Sequence, residues 1–236
     1  MPLNIGIVAC SAEGAALCYR TICAEGMALL GGHDHPEVAL HTPSLARYVK
    51  CLEDDDVAGI GELMLSSARA LEWAGADFLI CPDNSIHQAF EYVEPRSPLP
   101  WLHIADVVAT EAARRGYARI GLLGTRWLVD SDIYPEKFAA LGIGCVKPSP
   151  AERDETSRII MDELVLGITT PESLTYVLSV IRRFQSQGCD AAVLGCTELP
   201  LLVRDASSPI PTLDSTRLLA RAALHHALGV EAGRDA

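Results

Sequence analysis

The chain has 236 residues, 49% of them hydrophobic, and a formal net charge of −12. That length suits one large α/β domain or two small ones, and the apolar share is enough for a sizeable core. The charge argues against nucleic acid and an anionic membrane surface as partners, and no apolar run approaches the ~18 residues of a membrane span. MPLNIGIVAC at the start reads as a buried strand, because no basic segment precedes its apolar stretch as in a signal peptide. The eight cysteines sit mostly in apolar segments without CxxC spacing, which suits reduced thiols in a cytoplasmic protein.

In chain order, short apolar runs bounded by Gly, Asp or Pro predict buried parallel strands over residues 4–9, 77–81, 120–123 and 191–194, with shorter signals at 38–41 and 144–147. Helical patterning covers 12–23, 61–74, 104–115, 156–166, 171–187 and 214–228. Thr170 before Pro171 marks a helix start, and Gly75, Gly116 and Gly188 follow helices as stops. This alternation predicts an α/β fold of parallel sheets flanked by helices. The Pro-rich stretch 94–100 suits a crossover, giving residues 1–97 plus 213–236 as one lobe and 98–212 as the other.

The chain also nearly repeats itself. GADFLICPD from Gly75 aligns with GCDAAVLGC from Gly188, and IGIVAC from Ile5 aligns with IGLLGT from Ile120. The two alignments are offset by nearly equal intervals, as two pseudo-symmetric lobes in one chain would leave. They superimpose Asp83 on Cys196, each just past the end of a strand. Two acid/base groups on opposite sides of a cleft between the lobes can remove a proton from one face of a carbon and return one to the other.

Ligands of open α/β sheets bind at the carboxyl ends of the strands. Four predicted strand ends supply Cys10, Ser11 and Glu13; Asp83, Asn84, Ser85 and His87; Gly124 and Thr125; and Cys196, Thr197 and Glu198. Small polar side chains beside helix N-terminal N–H groups suit a carboxylate. GxGxxG and GxxxxGK[ST] are both missing, so no nucleotide cofactor is indicated.

These residues carry a resemblance. GCTELP from Gly195, PTLDSTR from Pro211, GIVACSAEGAALCYRTI from Gly6 and LLGTRWLVDSDIY from Leu122 resemble motifs of the cofactor-independent aspartate/glutamate racemase superfamily, most closely its aspartate-racemase branch. The resemblance spans nearly the whole chain. It implies a two-lobed α/β fold, a homodimer, and 1,1-proton transfer at an amino-acid α-carbon without pyridoxal phosphate or metal. On that implication Asp83 and Cys196 are the opposed catalytic groups. Ser11, Asn84, Ser85, Thr125 and Thr197 hold the α-carboxylate and amino group of the substrate, while His87, Glu198 and Cys81 support them.

Three departures bear on that expectation. Asp83 stands where the family usually has Cys, and Cys81, two residues earlier, could point to the same side. The acidic-substrate branch has an Arg near Glu53 and a Lys near Ile168 for a distal carboxylate, and both are missing. Leu128 replaces a Thr of the central block. Two other functions therefore stay open: decarboxylation or cis–trans isomerisation of a malonate- or maleate-type acid by Cys196, and non-catalytic binding of a carboxylate. Structural readings stay open too. Cys196 could be a buried packing residue, Asp83 a helix cap, Asn84, Ser85 and Thr125 turn residues, and His87 a surface histidine. His33-Asp34-His35 reads as a solvated loop in preference to a metal site.

Overall fold

A computed structural model describes residues 2–230. Two compact units divide the chain, one formed by Met1–Ile104 with Thr216–Ala236 and the other by Ala105–Ser215. The first contains strands β1 (Ile5–Val8), β2 (Val38–His41), β3 (Phe78–Ile80) and β4 (Trp101–Leu102). The second contains β5 (Arg119–Leu123), β6 (Gly144–Val146), β7 (Ala191–Leu194) and β8 (Thr212–Asp214). The sheet orders are β2-β1-β3-β4 and β6-β5-β7-β8, and every pairing is parallel. The same order thus occurs twice. No helix of the described residues is long and apolar enough to cross a membrane.

The internal repeat has a structural cause in each unit. Asp77 donates its N–H to the Asn4 carbonyl at 2.9 Å and accepts the Asn4 N–H on its carboxylate at 2.7 Å. Asp190 donates to the Arg119 carbonyl at 2.8 Å and accepts N–H groups of Ala118 and Arg119 at 2.7 and 2.9 Å. Each aspartate therefore fastens the entry of its unit's third strand to that of the first. Gly75 and Gly188, two residues before these aspartates, take φ of 88° and 78°, a left-handed conformation that a side chain would resist.

Several elements exceed what patterning predicted. The helix Ala12–Leu30 runs beyond its expected end, and Val57–Trp73 starts early because the Asp56 carboxylate accepts the Gly59 N–H at 2.8 Å. Pro150–Asp162 begins at a capping box in which Ser149 and Glu152 bond each other's backbone N–H. Helices Leu45–Glu53 and Ile133–Ala140 were not anticipated. Nor were β4 and β8, whose two and three residues are too few to show a period. Asp214 ends β8, and the helix assigned to it begins at Ser215.

The core of the second unit packs Val177, Val180, Ile181 and Phe184 of the helix Pro171–Ser186 against Leu123, Ala192 and Leu194 of its sheet. Phe184 packs against Gly121, where an added Cβ would stand 2.4 Å from its ring. With Phe184 wholly buried, that ring has nowhere to retreat. Gly121→Ala should therefore destabilise the protein by about 1–3 kcal/mol. Urea denaturation would show this as a lower midpoint at constant slope, and an unchanged midpoint would mean that the core yields.

Candidate active site

In the first unit, β1 and β3 are neighbours and both lead into turns at their carboxyl ends. Ser11 caps the helix Ala12–Leu30, its hydroxyl accepting the Gly14 N–H at 3.2 Å. The Asp83 carboxylate reaches across from the β3 turn. Its Oδ2 accepts the Cys10 N–H at 3.0 Å and its Oδ1 accepts the Ser11 N–H at 3.2 Å. Asp83 thus clamps the neighbouring turn. Two backbone donors match a charged carboxylate.

The Asp83 carbonyl is engaged as well. His87 donates to it from Nδ1 at 2.9 Å and the Cys81 thiol approaches it at 3.7 Å. Since a carbonyl only accepts, Nδ1 of His87 carries the proton. Ser11, Asp83, Asn84 and His87 are all buried, so His87 is no surface histidine. Ser85 opens the short helical turn Ser85–Ala89 that contains His87.

Cys81 is fully enclosed. Burial above all, then the negative charge of Asp83, pushes its thiol well above the ordinary range. Tyr48, on the unanticipated helix Leu45–Glu53, is also fully buried. Burial first, then charge at Cys81, Cys10 and Asp83, pushes its phenol up. The phenol lies beside Ser67 without a hydrogen bond of good geometry, and the Ser67 hydroxyl pairs with His41 Nδ1 at 2.9 Å.

The second unit repeats the arrangement with other chemistry. Thr125 caps Arg126–Asp130, its hydroxyl accepting the Leu128 N–H at 3.4 Å. After β7, Gly195 donates to the Leu123 carbonyl at 2.8 Å and carries the chain into Cys196, Thr197 and Glu198. The Cys196 thiol donates to Glu198 Oε2 at 3.0 Å, and the Thr197 hydroxyl donates to the same oxygen at 2.5 Å. Thr197 and Glu198 are each 2% exposed, while Cys196 is half-buried. Cys196 packs against the core of its unit and also donates to a buried carboxylate, so packing is not its sole contact.

Leu128 has a clear packing role. It is fully buried, and its Cδ2 stands 2.7 and 2.6 Å from where Cβ atoms at Gly124 and Gly195 would lie. The two strand-end turns meet under this one side chain, and at Gly195 the Leu123 carbonyl, 2.7 Å from the same Cβ position, also excludes a side chain. Ile168, one of the positions lacking the expected cations, is 47% exposed.

Two further residues at strand ends escaped sequence reasoning. Ser215, just past β8, donates to the Leu194 carbonyl at 2.8 Å and so pins the strand that leads to Cys196. His103, just past β4, lies with its ring centroid 4.7 Å from that of His87. Neither could be placed while β4 and β8 were unseen. Among the described residues, no cluster of three or more His, Cys, Asp or Glu side chains is arranged to hold a metal ion.

Comparison with known proteins agrees with this architecture. A Yersinia pestis protein assigned to the Asp/Glu racemases is 31% identical, with a TM-score of 0.87 over 96% of this chain and 99% of that one. An aspartate racemase homologue from Pyrococcus horikoshii OT3 is 26% identical, with a TM-score of 0.80 over 95% of this chain and 99% of the other. The broad specificity amino-acid racemase RacX of Bacillus subtilis is 23% identical over 191 residues, 80% of each protein. The profile of the Asp/Glu/Hydantoin racemase family matches residues 7–223, and the chain belongs to that family.

Proposed function

We propose that the protein is a cofactor-independent racemase or epimerase that moves the α-proton of an amino acid, or a related α-substituted carboxylate, between two faces. The observation that carries this reading is the matched placement of Asp83 and Cys196. Each follows the third strand of its unit's sheet, beside the turn that leaves the first strand. In one direction the Asp83 carboxylate takes the α-proton, the C–H electron pair passes into the substrate carboxylate as an enediolate, and the Cys196 thiol delivers a proton to the other face. In the reverse direction the roles exchange.

Glu198 supports Cys196 by accepting a hydrogen bond from its thiol at 3.0 Å, which orients that proton, and the thiolate left once the proton has gone to the substrate is the base of the reverse direction. Ser11, Asn84, Ser85, Thr125 and Thr197 line the same strand ends and suit the α-carboxylate and amino group. Cys81 is a poor alternative to Asp83 because a fully enclosed thiol pushed to high pKa ionises too rarely to act as a base near neutrality. The missing Arg and Lys argue for a substrate without a distal carboxylate. Similarity to a relative whose name describes broad specificity is in keeping with that.

One observation favours a second reading. Both oxygens of Asp83 already accept backbone N–H groups, so Asp83 can serve as a fixed anion and leave Cys196 as the only working acid. The reaction would then be decarboxylation or cis–trans isomerisation of a diacid. Incubating single-enantiomer amino acids with the protein in heavy water separates the two. Loss of the α-proton signal together with optical purity establishes the racemase. Carbon dioxide release from a disubstituted malonate, without exchange in any amino acid, establishes the other reading.

Cys196→Ala should abolish racemisation, and substantial residual activity in the purified variant would refute the assignment. Asp83→Asn places an amide donor against one of two backbone N–H groups, so it should both stop turnover and lower the melting temperature. A variant that melts as the wild type does would contradict the clamp. At pH 8 the raised pKa keeps Cys81 protonated, so iodoacetamide should leave it unmodified in the folded protein and label it only after denaturation, as read by peptide mass spectrometry.

A further inference from the structure

We infer that His103, which lies outside the sequence motifs, is a positioning residue that holds His87, and through it the turn bearing Asp83, in working geometry. This rests on the racemase reading for its activity readout. Asp83 lies in the irregular link of residues 81–84 between β3 and the 3₁₀ turn Ser85–Ala89, which runs on into Phe90–Val93, so no helix or sheet hydrogen bonds of its own fix it. Besides the Cys10 and Ser11 N–H groups on its carboxylate, Asp83 is held through its carbonyl by His87, with Nδ1 donating at 2.9 Å. That bond requires one tautomer and one ring orientation, and something must hold the ring in both.

The ring's neighbours supply the constraint. His87 stacks on Phe90, with centroids 5.8 Å apart and planes at 15°. His103 meets His87 nearly perpendicular, at 4.7 Å and 73°, and meets Phe90 at 4.6 Å and 88°. Trp101 closes the cluster against Phe90 at 5.9 Å and 84°. Stacking alone lets a ring slide or flip within its plane, whereas a perpendicular ring on the adjoining side blocks that motion.

The place of His103 in the sheet fits this role. Strand β4 pairs with β3 through Leu79 with Trp101 and Ile80 with Leu102. The next step along the ladder sets His103 level with Cys81, two residues before Asp83. In the second unit Leu194 pairs with Asp214, and Ser215 bonds the Leu194 carbonyl two residues before Cys196. In both units, then, the fourth strand ends in a residue that braces the turn carrying the proposed acid/base group. One does so by a hydrogen bond, the other by ring contact through His87.

The test pairs kinetics with ring-nitrogen NMR. His103→Ala should lower kcat for α-proton exchange about ten-fold per folded molecule, with KM changed by less than about three-fold, because Asp83 is misplaced while ground-state contacts persist. His103→Phe keeps a ring in the same place and should restore most of the rate. In ¹⁵N spectra the wild type should show His87 as the Nδ1–H tautomer alone, and His103→Ala should show both tautomers. Should His103→Ala fail to fold, His103→Leu replaces it with the same expectations. An unchanged His87 signature overturns the inference whether or not kcat falls, and so does an unchanged kcat. If the wild type exchanges no amino-acid proton, the racemase reading fails on its own, and the His87 signature still decides whether His103 positions it.

Discussion

The site depends on one constraint of parallel sheets. When the first and third strands of a unit are neighbours, their carboxyl ends release two turns side by side. Backbone N–H groups of one turn then lie within reach of a side chain on the other. In the first unit Asp83 uses that proximity to accept from Cys10 and Ser11. In the second, Gly195 donates to the Leu123 carbonyl, Leu128 covers both turns, and Cys196 turns instead to Glu198 on its own segment. The strand order β2-β1-β3-β4 and its repeat β6-β5-β7-β8 make both arrangements possible.

Much of this was legible in the sequence because it depends on short-range chemistry. Gly75 and Gly188 announce left-handed stops, Asp77 and Asp190 recur at the same step, and four apolar runs mark the central strands. Family motifs then located Cys196 and its neighbours. What stayed hidden depends on contacts far apart in the chain. The partners of Asp83 lie more than 70 residues away at Cys10 and Ser11, and no spacing rule announces such a bond. Strands β4 and β8 are defined by hydrogen bonds to a neighbour, so His103 and Ser215 had no visible element to stand on. Tyr48 was missed for a simpler reason: Leu45–Glu53 is a short helix whose Ser44 makes no side-chain cap.

The departures from the family pattern divide into two kinds. Leu128 in place of Thr is resolved by packing, since it fills the space over Gly124 and Gly195. Asp83 in place of Cys changes chemistry. A thiolate there would be a soft base needing only a nearby dipole, whereas a carboxylate takes two backbone donors and becomes part of the architecture. The substitution therefore couples Asp83, the proposed acid/base group, to the integrity of the β1 turn.

An unequal pair also limits what kinetics can show. A free aspartate and a free cysteine differ by roughly 4.6 pKa units, equivalent to ~6 kcal/mol between the two singly protonated forms of such a pair. If Asp83 and Cys196 are the pair, as proposed, that gap left uncorrected would rest the enzyme as carboxylate plus thiol, ready to work from one face only. Yet enantiomers have equal free energy, so the equilibrium constant of a simple racemisation is unity, and kcat/KM must be the same in both directions at every pH. The inequality of the pair is therefore confined to kcat and KM taken separately. Any difference between the directions must appear as kcat and KM changed in the same proportion. An epimerase, whose substrate has a second stereocentre, escapes this equality, because its equilibrium constant need not be unity. Comparing kcat/KM for the two directions thus distinguishes substrate types that share one catalytic pair.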